Sequence, residues 1–168
     1  MLIDTIIEAV SDENQIVTIE GLAGEIWNEY FTAIIGKAQV DYMLEMFQSK
    51  KAITEQIENG CLYFLIKNNN DPVGYIAIIP EDKQLFLSKL YITLAERGKG
   101  YGRKAIDFLE QLAIEKNLSK ISLTVNRNNT AAINSYKKIG FENRGRTVLD
   151  IGNGFVMDDY IMEKKING

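Results

Sequence analysis

Apolar and polar positions change rhythm twice along the chain. Residues 2–9 alternate well enough for an opening strand. From residue 12 the apolar positions recur near helical spacing (Ile16, Ile19, Ala23, Ile26, Trp27), which predicts a helix over 12–33 with Ser11 as its N-cap. Two more helical stretches cover about 38–48 and 50–58. The texture then turns to strands at 62–67, 73–80 and 84–92, the first two joined by the turn-rich Asn68-Asn69-Asn70-Asp71-Pro72. Helix 101–116 follows, with Ala105, Ile106, Leu109, Leu112 and Ala113 on one apolar face. Strand 120–126, helix 129–139 and two strands near 141–150 and 154–163 complete the pattern. Helices first, then strands interleaved with two helices, predict an α/β (α+β) fold with a mixed sheet covered on both faces. With 168 residues, no repeat and no linker, residues 1–168 read as one domain.

Composition narrows the chemistry. A net charge of −4 argues against general binding to nucleic acid or anionic membranes, because phosphate contacts need a basic surface. No run approaches ~18 apolar residues, so no membrane span is expected. The opening MLIDTIIEAVSDE lacks the basic start and cleavage site of a signal peptide, which predicts a cytoplasmic protein. The single cysteine, Cys61, allows no internal disulfide and reads as a small core residue beside a strand. Histidine is absent altogether. That excludes Ser-His-Asp and Cys-His mechanisms and removes the commonest metal ligand, so no metal is expected.

Against this acidic background, Arg97, Lys99, Arg103 and Lys104 crowd around Gly98, Gly100 and Gly102 where a strand gives way to a helix. A helix N-terminus carries unpaired N–H groups and partial positive charge, so cations in its first turn are unfavourable on their own. An anion bound there reverses the balance, and glycines let backbone N–H groups approach it. The pattern therefore implies a phosphate or pyrophosphate ligand. The spacing is not that of a P-loop. Gly100-Tyr101-Gly102-Arg103-Lys104-Ala105 meets the loose dinucleotide pattern, but strand 120–126 ends in Asn126 where that fingerprint has an acid.

A third pattern, Arg-x-x-Gly-x-Gly, is met by Arg97-Gly98-Lys99-Gly100-Tyr101-Gly102 after Leu90-Tyr91-Ile92. It resembles the acyl-CoA signature of the GNAT N-acetyltransferases. Downstream, Asn129-Thr130-Ala131-Ala132-Ile133-Asn134-Ser135-Tyr136-Lys137-Lys138-Ile139-Gly140-Phe141 resembles that family's Asn-x-x-Ala-Ile-x-x-Tyr-x-x-x-Gly-Phe helix. The resemblance implies a GNAT-type acyl-CoA N-acyltransferase fold with a mixed, largely antiparallel sheet and helices on both faces. It implies acetyl-CoA as co-substrate, its pyrophosphate on Arg97, Gly98, Lys99, Gly100, Tyr101, Gly102 and Arg103, with Lys104 flanking. By the same resemblance the pantetheine arm pairs with the backbone of Leu90, Tyr91 and Ile92, Asn129 bonds the arm, and Lys138 reaches the nucleotide phosphate. Lys138 also reads simply as a surface lysine.

Tyr136 matches the family tyrosine that gives a proton to the departing thiolate. A phenol (pKa about 10) stays protonated at neutral pH and can stabilise a sulfur anion whose thiol titrates at about 8.5. Its other reading is a packing aromatic on the face of Ile133. The glutamate that many family members carry on the fourth strand is missing, since Ser88 and Lys89 occupy its middle. The base is therefore open between an ordered water and a carboxylate such as Glu29, Asp41 or Glu45. Trp27, Tyr30, Phe31, Tyr42, Met43 and Phe47 read as core or as the wall of an acceptor site. WNEYF and QVDYMLEMFQS are faintly similar to the spermidine/spermine-acetylating branch, which agrees with the acidic balance. The expected activity is acetyl transfer from acetyl-CoA to a primary amine, a polyamine or other small amine, by direct attack in a ternary complex. Acetylation of a protein N-terminus or lysine, and a weakly catalytic acyl-CoA sensor, stand as alternatives. The expected partner is a small-molecule amine, and a homodimer is one candidate assembly.

Overall fold

Asp12 caps the first helix, where Ser11 was expected. Its carboxylate accepts from the Gln15 N–H at 2.8 Å, and Gln15 Oε1 accepts from the amides of Ser11 and Asp12 at 2.6 and 3.0 Å. This reciprocal box satisfies several helix-end donors, and Asp12 adds negative charge beside the positive end of the dipole. The predicted helix 12–33 is also not continuous. Helix α1 (Glu13–Ile26) passes into a π-helical turn, Trp27–Phe31, and then into the short α2, Thr32–Ile35. Gly36, at φ 86°, ends the run, a left-handed conformation that suits glycine. Helices α3 (Lys37–Phe47) and α4 (Lys50–Glu58) follow, the latter capped by Ser49 Oγ accepting from Ala52 N–H at 3.2 Å.

The computed structural model describes residues 4–166, which form two compact units. The first comprises the chain up to Ile79 together with Lys89–Asp107; the second comprises Pro80–Ser88 and the chain from Phe108 onward. Seven strands hydrogen-bond in the order β1-β2-β3-β4-β5-β7-β6, a mixed sheet of the kind expected.

In the first unit, β1 (Thr5–Ala9) lies antiparallel to β2 (Leu62–Asn68), which pairs antiparallel with β3 (Asp71–Pro80). Residues 2 and 3 of the predicted opening strand lie outside the described residues. The β2–β3 turn is tighter than expected: Asn69 takes φ 56° and Pro72 already belongs to β3. Ile19, Ala23 and Ile26 of α1, Val40 of α3 and Ile53 of α4 are fully buried with Ile66 and Ile76 of the strands. Cys61 is buried as expected.

In the second unit, the start of β4 (Gln84–Ile92) runs parallel to β5 (Lys120–Asn126), from Gln84↔Lys120 to Leu87↔Leu123. Strand β7 (Phe155–Lys165) lies antiparallel to β5 on one side and to β6 (Glu142–Gly152) on the other. Helix α6 (Thr130–Ile139) ends at Gly140, φ 114°, whose N–H returns to the carbonyls of Tyr136 and Lys137. Helix α5 (Tyr101–Glu115) starts in the first unit and ends in the second. Among the described residues, no helix is long and apolar enough to cross a membrane.

Candidate active site

The glycine segment has the local structure its composition demands. After β4 a short 3₁₀ turn, Leu94–Glu96, leads to Arg97, and α5 begins at Tyr101. Gly98 and Gly100 take φ 77° and 90°, so both need glycine for the turn itself. Gly102 differs. Its φ is unexceptional, and a Cβ built there meets nothing within 4 Å. Neither backbone conformation nor packing requires glycine at this position, and its missing side chain leaves open space over the first turn of α5. The first helical bond described at this end runs from Lys104 N–H to Gly100 O at 3.1 Å, so the amides of the turn before it are those available to an anion. An extended phosphate ester fits this arrangement.

The four cations around the loop are held differently. Arg97 donates from Nε to Ile92 O at 3.3 Å and lies 4.0 Å over the Tyr30 ring, so it fastens the loop to the end of β4 and to the π turn. Lys99 pairs with Glu96 at 3.1 Å, and Arg103 with Asp107 at 3.4 Å. Lys104 donates to Thr5 Oγ1 at 3.0 Å. The two ion pairs are largely exposed and contribute little, so their cations can turn to a bound anion at small cost. The Tyr101 side chain is buried.

The strand leading into this loop is packed on its inner side. Tyr91 lies edge-on to Trp27 (5.5 Å between centroids) and to Phe31 (5.8 Å), and tilted against Tyr75 (5.4 Å). Trp27 and Phe31 stack at 4.3 Å and are buried, so these members of the aromatic stripe are core. Tyr30, by contrast, is half-buried and sits under Arg97. A π turn inserts an extra residue into the helix and changes which side chains face inward. Here it carries the cluster that meets Tyr91. Beneath β4, a Cβ on Gly74 would overlap Tyr91 O and lie 2.8 Å from Ile92 Cδ1, so this glycine lets β3 approach the stretch Leu90–Ile92.

Lys89 is the residue that sequence reasoning missed. It is buried, and its ammonium donates to Phe47 O at 2.5 Å, Tyr63 OH at 2.5 Å and Gln56 Oε1 at 3.1 Å. Phe47 ends α3, so the cation meets the negative end of that helix. Tyr63 in turn donates to Gln56 Oε1 at 2.5 Å. All three acceptors are neutral, and burial pushes the Lys89 pKa down to about 7. The sequence signal was a lysine at the strand position that continues the Leu85, Leu87 alternation. Of the three carboxylates considered as bases, Glu29, Asp41 and Glu45 are all exposed, and Asp41 pairs with Lys37 at 2.6 Å.

In the second unit, Asn129 is buried and caps α6, its Oδ1 accepting from Ala132 N–H at 3.3 Å. Tyr136 is half-buried, with its ring edge-on to Phe141 at 5.4 Å; Lys138 is exposed. Asp159 is a further residue unanticipated from the sequence. It is buried on β7, and burial raises its pKa to about 6 against the lowering effect of a Thr124 hydrogen bond. No cluster of metal-ligand side chains occurs among the described residues.

The glycine turn at the head of α5 and the Asn129-capped helix bearing Tyr136 are the two segments whose sequences resemble the GNAT signatures. The profile of the Acetyltransferase (GNAT) family matches residues 23–141, and the chain belongs to that family. It is an acetyltransferase that uses acetyl-CoA. The peptidyl-lysine N-acetyltransferase YjaB of Salmonella typhimurium is 24% identical over 112 residues, 66% of this chain and 71% of its own. Two solved structures show the same fold. The PaiA N-acetyltransferase of Thermoplasma acidophilum, in complex with coenzyme A, superposes with a TM-score of 0.79 at 21% identity, covering 96% of this chain and 99% of that one. A chimera of the spermidine N-acetyltransferase SpeG from Vibrio cholerae and hSSAT superposes with a TM-score of 0.69 at 20% identity, covering 96% and 95%.

Proposed function

We propose that this acetyltransferase acts on a primary amine of a polyamine or other small amine, by direct attack within a ternary complex. The observation that carries the donor half is the open backbone at Gly102, at the head of a helix whose first turn holds cations. Acetyl-CoA supplies the activated acyl group, and the stretch Arg97 to Arg103 would hold its pyrophosphate, through the amides that follow Arg97 and through its basic side chains. The backbone of Leu90, Tyr91 and Ile92 lies beyond the last β5-paired residue of β4, Leu87, and would pair with the pantetheine arm. Asn129 would bond that arm and Lys138 the nucleotide phosphate. Tyr136 is the acid of this reading, giving its phenolic proton to the departing thiolate. The attacking amine, with an ordinary pKa of about 10.4, must first lose a proton. That proton goes to water or to a carboxylate on the early helices.

The acceptor class is supported by the net charge of −4, by exposed Glu29, Asp41 and Glu45 on the early helices, and by likeness to a spermidine acetyltransferase. Likeness to a peptidyl-lysine acetyltransferase favours a second reading, in which the amine is a lysine side chain. Thiol release from acetyl-CoA with spermidine, a lysine peptide and an amino sugar separates them. Fastest turnover with spermidine supports the first reading, and fastest turnover with the peptide moves the assignment to the second. Thiol release with none of them contradicts both.

The acid is tested by Tyr136→Phe, which keeps the ring packed on Phe141. We expect kcat to fall by about 10²–10⁴. Stability should change by no more than ~1 kcal/mol. A kcat near that of the unmodified enzyme makes Tyr136 a packing residue.

A further inference from the structure

Strand β6 is last in the sheet order, and its register against β7 shifts between Asn143 and Gly145 and again between Asp150 and Gly152. Bulges at a sheet edge discourage further pairing. Here they sit at both ends of β6 and leave the stretch Gly145–Asp150 regular. The middle of that stretch holds Val148 and Leu149, each 57% exposed. Neighbouring residues of a strand point to opposite faces, so apolar surface is exposed on both faces of one edge. A partner docked on either face would cover only one of the two. A strand added to the edge covers both.

Charge selects the added strand. Arg146 and Asp150 stand symmetrically about Val148. When two copies of β6 pair antiparallel about Val148, each Arg146 faces the other copy's Asp150, and each Thr147 faces the other's Leu149. Parallel in-register pairing would set Arg146 against Arg146 and Asp150 against Asp150, which is unfavourable. The Arg146 guanidinium holds Asp158 through Nε and Nη2 at 2.7 Å each, using two of its five donors. We propose that the outer edge of β6 is a self-complementary interface through which a second copy of this chain continues the sheet, antiparallel about Val148. Such pairing is isologous and closes at two copies.

Sedimentation equilibrium of the full chain over a micromolar dilution series should show a reversible dimer. Asp150→Arg and Arg146→Glu, each alone, should raise the dissociation constant about tenfold or more. Mixing the two variants should restore association, because Glu then faces Arg on one side and Asp faces Arg on the other. Circular dichroism checks that each variant is folded. Should Arg146→Glu fail to fold for want of the Asp158 pair, oxidative cross-linking decides. Val148→Cys should then cross-link to itself, and Thr147→Cys preferentially to Leu149→Cys. A chain that stays monomeric at every concentration overturns the proposal. So does a dimer that is indifferent to Asp150→Arg and gives no Val148→Cys cross-link, which would put the interface elsewhere.

Discussion

The inner side of β4, where Gly74 of β3 packs against it, and the glycine loop that follows the strand use their glycines and lysines in opposite ways. Gly74 faces backbone, and any side chain there collides with Tyr91 and Ile92; Gly102 faces nothing. Lys89 is buried against three neutral oxygens, whereas Lys99 is 48% exposed and pairs with Glu96. The difference separates residues that build the strand from residues left available to a ligand. Small or charged residues alone do not mark a binding loop. Under the proposed function, the residues left for a ligand are those, such as Gly102 and Lys99, whose space and charge the fold scarcely uses.

The largest expected contrast concerns the two lysines. The folded chain holds the Lys89 pKa near 7, against an ordinary value of 10.5. Between about pH 7 and 10.5 the unfolded chain therefore binds a proton that the folded chain does not, and stability rises with pH across that window. Below pH 7 both states are protonated and the contribution is flat at its lowest. The rise amounts to at most about 4–5 kcal/mol. Denaturant titrations at several pH values should find it in the unmodified chain and find it much reduced in Lys89→Met. A pH-independent difference between the two proteins would mean that Lys89 is not driven toward neutrality by burial.

The glycines come next. Gly74→Ala should cost about 3 kcal/mol, the upper part of the usual overpacking range, because the atom it meets is a backbone carbonyl. A denaturation midpoint unchanged by Gly74→Ala would show that β3 and β4 can separate freely.

How much of this could be read from the chain follows the reach of each interaction. The loop was legible because its parts are consecutive: cations, glycines and a helix start all lie within Arg97–Lys104. Helix α6 was legible for the same reason, with Asn129 as cap and Gly140 as stop at its two ends. The Lys89 network was not, since its partners lie 42, 33 and 26 residues away. The π turn at Trp27–Phe31 escaped too, because apolar spacing near a helical period does not reveal where one extra residue is inserted. The cap moved from Ser11 to Asp12 because Gln15 can reach back to close a box there. The exposed apolar middle of β6 read from sequence as an ordinary strand; only the sheet order makes it an edge.

The smallest expected effect is on the loop cations. Lys99→Ala removes an exposed pair and should change stability by less than about 0.5 kcal/mol. It should nonetheless weaken coenzyme A binding by a few fold, more at low salt than at high. A large stability loss would put Lys99 with the structural residues and blur the contrast with Lys89.

The central claim is that the open backbone at the head of α5 is the seat of the coenzyme A pyrophosphate. Titration calorimetry of Gly102→Val with coenzyme A tests it most directly, because this glycine has neither a positive φ nor a neighbour that forbids a side chain. The account predicts a folded variant whose affinity is weaker by tenfold or more, about 1.4 kcal/mol. Unchanged affinity in a folded Gly102→Val would contradict it.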